Sequence, residues 1–451
     1  MGYISSGLFS KLDYGAPLRQ FLTSRSTLVE IVEFSEEQVF EGVLTYPIIL
    51  TLKNEPPKEN ATVGLRSAAS LVDSALPEQN TLPTAEDIWA FTNESLQHVI
   101  RGWAQSTPLG DVLGAPIYSG IKTNLNNAFV LDQGTRDQLM REDSSSEALI
   151  TPFVRGEGLR PWYQEERLWL ILLPFGWTRD TFGSGLGEEE AWELLQASYP
   201  SIARHLAPFA EAGRKRTDKG EYWWELRACN YYSAFEQPRI HSTKVSLFPT
   251  FSFSEEINYA LNTSYVLPIE DTIMGNYLLG ILNSRVCEFY CRKVFAPKAN
   301  GYFEIQPGEL SCFPVPAASD EQRGKVGRLA AAITAESRTR HELHRNTQRR
   351  IHTDLGTPGK KFNQKLMAWW NLDFSTFWAE VKKVFKQDIP LSERDEWEEW
   401  LEVRRGQHER LTGEIVRLET ELNERVYELF DLTLDEIQVI EESTKYQYGE
   451  V

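Results

Sequence analysis

The chain has 451 residues, of which 41% are hydrophobic, 12% aromatic and 25% charged, and its formal net charge is −18. That composition excludes disordered, collagen-like and low-complexity classes, and the length predicts roughly two to four domains. In bulk the acidity argues against a partner made of phosphates. By segment it does not: residues 317–386 carry 14 basic and 7 acidic side chains, whereas 387–451 carry 7 and 19. The four cysteines include no C-x-x-C pair, which suits a reduced, cytoplasmic setting. Apolar runs fall well short of the ~20 residues of a membrane span, so no membrane partner is expected.

In chain order, residues 1–56 read as α/β. GYISSGLF is a short apolar segment, YGAPLRQFLTSR is helical, LVEIVEF alternates as a strand, EEQVFEGV turns, and TYPIILTLK is a buried strand. A chain that opens directly into such a unit is expected to be the end of a sheet whose beginning lies elsewhere. Residues 57–110 form a linker and an amphipathic helix near Ala85–Trp103. From 111 to 318 the pattern is irregular α+β, with helices over Glu188–Phe209 and Gly275–Val294 and a proline-bounded close at SCFPVP. A basic helical segment follows over 319–386. Residues 387–451 are expected as an acidic helical hairpin or short coiled coil, because Leu411, Ile415, Leu418, Leu422, Val426 and Leu429 keep near-heptad spacing.

Several apparent catalytic motifs fail. FGSGLG (Phe182–Gly187) lacks the preceding buried strand that a cofactor loop needs, and Glu188–Glu190 would repel phosphate. The seven histidines show no metal-ligand spacing, so no metal centre is expected. Two features carry more. The turn GIKTNLNNAF places Lys122, Thr123, Asn124 and Asn126 between apolar segments, where amides and hydroxyls can donate to phosphates or read base edges. An ordinary Asn-rich turn is the alternative. RKRTDKGEYWWELR brings Arg214, Lys215, Arg216, Lys219 and Arg227 beside two tryptophans, a pattern that suits phosphate contact plus base stacking. A solvated charge run beside core tryptophans is the competing reading. Arg155, Arg160, Lys244 and Lys298 are further dispersed cations, and the second loop expected to read bases is Lys298–Tyr302.

The string GIKTNLNNAFVLDQGTRDQLM, then LITPFVRGEGLRPW, FEQPRI, YLLGILNSRVCEFY and LSCFPVP, resembles the target-recognition region of type II, IIG-like, restriction–modification adenine methyltransferases. Together these motifs resemble the TaqI-like C-terminal specificity domain over residues 111–318. Residues 1–54 likewise resemble the last strands of the methyltransferase catalytic domain. The resemblance implies an α/β fragment of a Rossmann-like sheet, then an α+β target-recognition domain and an α-helical C-terminal region. It implies double-stranded DNA as partner and S-adenosylmethionine as methyl donor to the exocyclic amino group of adenine. It also assigns Phe40 to contact with the flipped base. The family's glycine-containing cofactor loop and Asn-Pro-Pro-aromatic motif do not occur in this sequence. The expectation is therefore a chain inactive alone, needing an upstream catalytic segment or a separate chain. A non-enzymatic specificity subunit and an acidic scaffold without DNA are the alternative readings.

Overall fold

The computed structural model describes residues 1–10, 13–34, 47–58, 61–67, 77–81, 89, 103, 106–165 and 168–450. Contact clustering divides the chain into two units, residues 1–327 with 425–446, and residues 328–424 with 447–451.

The first unit opens with strand β1 (Gly2–Ser6), helix α1 (Ala16–Arg25), β2 (Thr27–Glu33), β3 (Pro47–Lys53), β4 (Thr62–Ser67) and β5 (Glu78–Thr81). They form one sheet in the order β1-β3-β2-β4-β5. β3 is antiparallel to both β1 and β2, so β1 and β2 run the same way with the returning strand inserted between them. Alternation decides which face is covered. Leu28, Ile31, Ile48, Leu50 and Leu52 pack with Phe9, Leu22 and Trp89 into a small core. β1 lies at the sheet edge with Tyr3 and Ile4 each 52% exposed, and α1 turns Phe21 outward at 60%. The expected strands GYISSGLF, LVEIVEF and TYPIILTLK correspond to β1, β2 and β3. The expected EEQVFEGV turn, Phe40 included, lies outside the described residues, as does most of the Ala85–Trp103 helix.

The second part of this unit is built on two four-stranded sheets. The first contains β6 (Tyr118–Ser119), β10 (Arg239–Thr243), β11 (Phe251–Ser254) and β13 (Ser264–Pro268), in the order β11-β10-β13-β6. The other orders β12 (Tyr259–Ala260), β8 (Ile150–Val154), β9 (Leu168–Ile171) and β7 (Val130–Leu131) as β12-β8-β9-β7. Helix α2 (Asn126–Phe129) precedes β7, and helices α3 (Glu188–Ser198) and α4 (Pro200–Leu206) cover one core with Trp223 and Trp224. The single helix expected over Glu188–Phe209 is interrupted at Tyr199-Pro200, where proline removes a backbone donor and starts a new helix.

Gly275–Val294 is likewise two helices, α5 (Thr272–Leu282) and α6 (Arg285–Val294). The motif ILNSR makes the break. Asn283 exchanges two hydrogen bonds with the Phe251 backbone (3.0 and 2.9 Å), and Ser284 caps α6 through the Cys287 amide. Arg285 then bonds Glu441 at 2.9 Å. The buried Glu288 carboxylate accepts from the Lys445 amide at 2.7 Å, so the chain from Glu441 to Lys445 is held on α6. The FPVP close pairs Pro314–Val315 with Thr107–Pro108, bringing entry and exit of this region side by side.

The second unit centres on two long helices that cross the division in sequence, α7 (Asp320–Leu355) and α9 (Arg394–Leu429), with α8 (Phe374–Phe385) between them. The two run antiparallel, because Arg340 bonds Thr412 at 2.9 Å and His344 meets His408 at 2.9 Å. Leu343, Ile351, Trp369, Phe377, Phe385, Trp397 and Leu401 share one core, so residues on both sides of position 386 pack together. Of the heptad expected in the acidic segment, Leu411 joins this core together with Leu343 of α7. The last helix, α10 (Leu434–Ser443), begins with a Thr433/Glu436 capping box. Among the described residues, no helix is long and apolar enough to cross a membrane.

Candidate nucleic-acid interface

Two segments singled out in the sequence, some 90 residues apart, meet in the structure. The Lys122–Asn126 turn follows Gly120, whose backbone lies so close to the Leu261 carbonyl that a Cβ would fall on it. Thr123 is fully buried and bonds the Asn126 side chain, which closes the turn into α2. Asn124 takes a left-handed backbone (φ 49°), stays exposed, and donates to Asp218 at 2.8 Å. Arg216 explains the meeting. Its guanidinium donates to the Thr123 carbonyl and to the carbonyls of Trp223 and Glu225, both at 2.8 Å, while lying 4.8 Å over the Phe129 ring. Burial pulls its pKa down to about 10. At 8% exposure Arg216 braces the turn; its donors face carbonyls rather than solvent.

The rest of that basic run is also engaged. Arg214 pairs with Glu188 and Lys215 with Glu211, each at 2.6 Å, and Lys219 donates to the Arg214 carbonyl at 2.8 Å. Trp223 and Trp224 are 2% and 0% exposed and pack with Trp192, so they are core residues and offer no platform for a base. That outcome is the solvated-run-beside-core-tryptophan alternative. Its physical reason is that a Trp-Trp pair buries more apolar area than any other dipeptide here could supply to the sheet.

A different set of cations gathers around β6. Lys244 donates to Ser119 Oγ at 3.2 Å and lies 4.9 Å over the Tyr265 ring. Burial first, and the neighbouring Lys122 ammonium second, lower its pKa. Lys298 pairs with Glu304 at 2.6 Å, in the loop where Asn300 and Gly301 both take positive φ (61° and 77°). Both loops expected to read bases therefore carry an asparagine in the left-handed region at the tip, with Tyr302 beside the second at 42% exposure. Next to Ser119, Tyr118 stacks on Tyr231 at 4.6 Å and 15°, and Arg227 lies beside Tyr231 and Cys229, where its charge opposes the upward shift that burial gives both groups. Thr263 ties in a third loop, since its hydroxyl accepts from the Gly156 amide at 3.3 Å and its carbonyl from the Lys244 amide at 3.1 Å. Arg155 thus comes to the same end, with its buried Nε lacking a hydrogen-bond partner among the described residues. Arg160 is paired with Glu165 at 2.9 Å.

Lys122, Lys244, Lys298, Arg227 and Arg155 are therefore brought toward one end of the two sheets, while Arg214, Lys215, Arg216 and Lys219 are spent on local pairing. Tyr118 and Tyr231 were missed in the sequence, because a stack between residues 113 positions apart leaves no local pattern. Such a rim of cations, amides and half-exposed tyrosines can contact phosphates and stack on or hydrogen-bond to bases. The Phe182–Gly187 turn does not fit a methyl-donor cofactor: it follows helix Trp177–Phe182 instead of a strand, and α3 opens on Glu188, Glu189 and Glu190. Among the described residues no three His, Cys, Asp or Glu side chains are grouped to hold a metal.

Comparison with known proteins bears on this surface. A profile described as the TaqI-like C-terminal specificity domain matches residues 204–315, and one for a domain of unknown function (DUF8810) matches residues 319–426. The type II methyltransferase M.XhoI of Xanthomonas vasicola is 20% identical over 339 residues, 70% of this chain and 58% of that protein. The type II restriction enzyme and methyltransferase RM.Eco57I of Escherichia coli is 26% identical over 139 residues, 29% of this chain and 14% of that protein. Among solved structures, the type IIL restriction–modification enzyme MmeI, in complex with DNA, is 13% identical with a TM-score of 0.49, over 98% of this chain and 49% of that one. The chain spans less than two thirds of the length of these relatives. It carries a TaqI-like C-terminal specificity domain and is homologous to type II restriction–modification methyltransferases.

Proposed function

We propose that this chain reads the DNA target for a site-specific adenine methyltransferase of a restriction–modification system. The specificity-domain match over residues 204–315 carries the reading. The cationic rim of Lys122, Lys244, Lys298, Arg227 and Arg155 supports it, because these residues converge from five separate segments onto one end of the sheets. In the intact enzyme S-adenosylmethionine supplies the methyl group for the exocyclic amino group of adenine. The described residues do not build its site, and on this reading an upstream catalytic segment or a separate chain would supply it. β1–β5 would be the last strands of its Rossmann-like sheet, and β1, the edge strand among the described residues, with Tyr3 and Ile4 exposed, suits the pairing of a further strand. Phe40 would contact the flipped base.

The chain alone is expected to bind duplex DNA without transferring methyl; labelled methyl appearing in adenine from the purified chain contradicts the assignment. With a catalytic partner restored, Phe40→Ala is expected to keep duplex affinity while lowering transfer on the order of 100-fold. Full transfer by that variant removes Phe40 from the base pocket. The exposed β1 edge equally suits the second reading, a non-enzymatic specificity subunit that recruits its methyltransferase through this sheet. Co-purification of the two as separate full-length chains selects that reading.

A further inference from the structure

The face of α7 turned away from the second unit's core is lined by arginine. Val326, Ala330, Ile333, Ser337, Arg340, Leu343, Thr347 and Ile351 are buried, at steps of three or four. The complementary positions are exposed, and four of them are Arg328, Arg338, Arg345 and Arg349. Ala331 and Ala335 lie on the same row, so little side-chain bulk holds a partner away from the helix. Glu342 is the acidic residue on that row. At 1.5 Å per residue the stripe from Arg328 to Arg349 is about 32 Å long, close to the ~34 Å of one turn of duplex.

We infer that this stripe is a second, sequence-independent grip on the phosphate backbone of DNA, in the region matched to a domain of unknown function. The inference rests on the proposed DNA-reading function. Three observations favour a duplex as the occupant. The cations are all guanidinium groups, whose planar forks match phosphate oxygens in pairs. They sit on one face of a single continuous helix, in a row that can follow a regularly charged rod. The next row adds exposed Asn346 and Thr353, neutral polar groups of the kind that contact phosphate. Such contacts release counterions and carry no sequence information, so they add affinity without discrimination.

The test is salt-dependent binding of the full chain to a duplex of about 30 base pairs of arbitrary sequence. Arg328→Gln with Arg338→Gln and Arg349→Gln is expected to weaken binding on the order of 10-fold near 0.1 M salt and to flatten the logarithmic salt slope by about 2 to 3. Gln keeps the helix, and unchanged circular dichroism checks the fold. The matching lysine triple is expected to recover most of the affinity. Arg410→Gln with Arg417→Gln and Arg425→Gln, the same charge change on α9, is expected to leave the slope unchanged. Wild-type slope and affinity in the stripe variant, with binding still lost in Lys122→Ala plus Lys244→Ala, overturns the stripe alone. A wild-type chain that binds no duplex overturns the stripe and the DNA-reading function together.

Discussion

Two basic stretches of this chain have opposite fates. Arg214–Lys219 packs four cations into six positions, and the structure uses them up: one is buried against three carbonyls, two pair with glutamates, and one reaches back to the backbone. The arginines of α7 are thinner in sequence, yet their spacing of ten, seven and four residues puts them on one exposed face. Local density of charge therefore says little about exposed charge. A consecutive run points its side chains in all directions, and some must meet the core, whereas helical periodicity sorts them.

Substitutions that sharpen this contrast differ in size. Arg216→Ala should be the most damaging. It strips donors from the carbonyls of Thr123, Trp223 and Glu225 and frees the Lys122–Asn126 turn, at a cost of about 3 kcal/mol in chemical denaturation. Stability within error of wild type contradicts its role as a brace.

Acid should come next. Burial first lowers His344 to about 3, with His408 and then Arg340 adding to it; it lowers His408 to about 4, helped by Arg340, and His241 in the first unit to about 3, helped by Arg239. The folded state then binds fewer protons than the unfolded one, whose histidines titrate near 6.5. The stability these groups contribute is present above pH ~6.5 and is lost as pH falls toward 4. With two such histidines facing each other across α7 and α9, hydrogen exchange in those helices should accelerate more over that window than in β10 and β13. Equal acceleration in both contradicts the pairing.

Lys122→Ala with Lys244→Ala should leave stability nearly unchanged but weaken duplex binding several-fold and blur its sequence preference, unlike the α7 stripe, whose loss should weaken all sequences alike. Arg214→Ala with Lys215→Ala should do least. These exposed pairs are worth under ~1 kcal/mol, and their cations are already neutralised. A larger affinity loss here than in the Lys122 and Lys244 variant would move the interface to the basic run.

Much of the architecture was legible because periodicity is local. β2 follows from alternation, β1 and β3 from short apolar runs, and α7, α8 and α9 from helical spacing, although Pro200 and the Asn283-Ser284 pair split helices that apolar pattern alone had joined. The specificity region was legible through ordered motifs, and the structure gives ILNSR and FPVP mechanical roles in a helix break and in closing the region on itself. The site was harder to see. Lys122, Lys244 and Lys298 were identifiable as cations, but Tyr118 and Tyr231 meet only through tertiary packing, and the commitment of Arg216 depends on where three carbonyls point. The partner of α9 was also hidden, since a heptad face specifies that a helix packs without naming what it packs against.

The claim that this chain reads a DNA target is tested most directly by selecting duplexes from a random-sequence pool with the purified chain at moderate salt. The account predicts enrichment of one short sequence, lost in the Lys122→Ala plus Lys244→Ala variant and retained, at lower affinity, in the α7 stripe variant. A pool that emerges without an enriched sequence contradicts it.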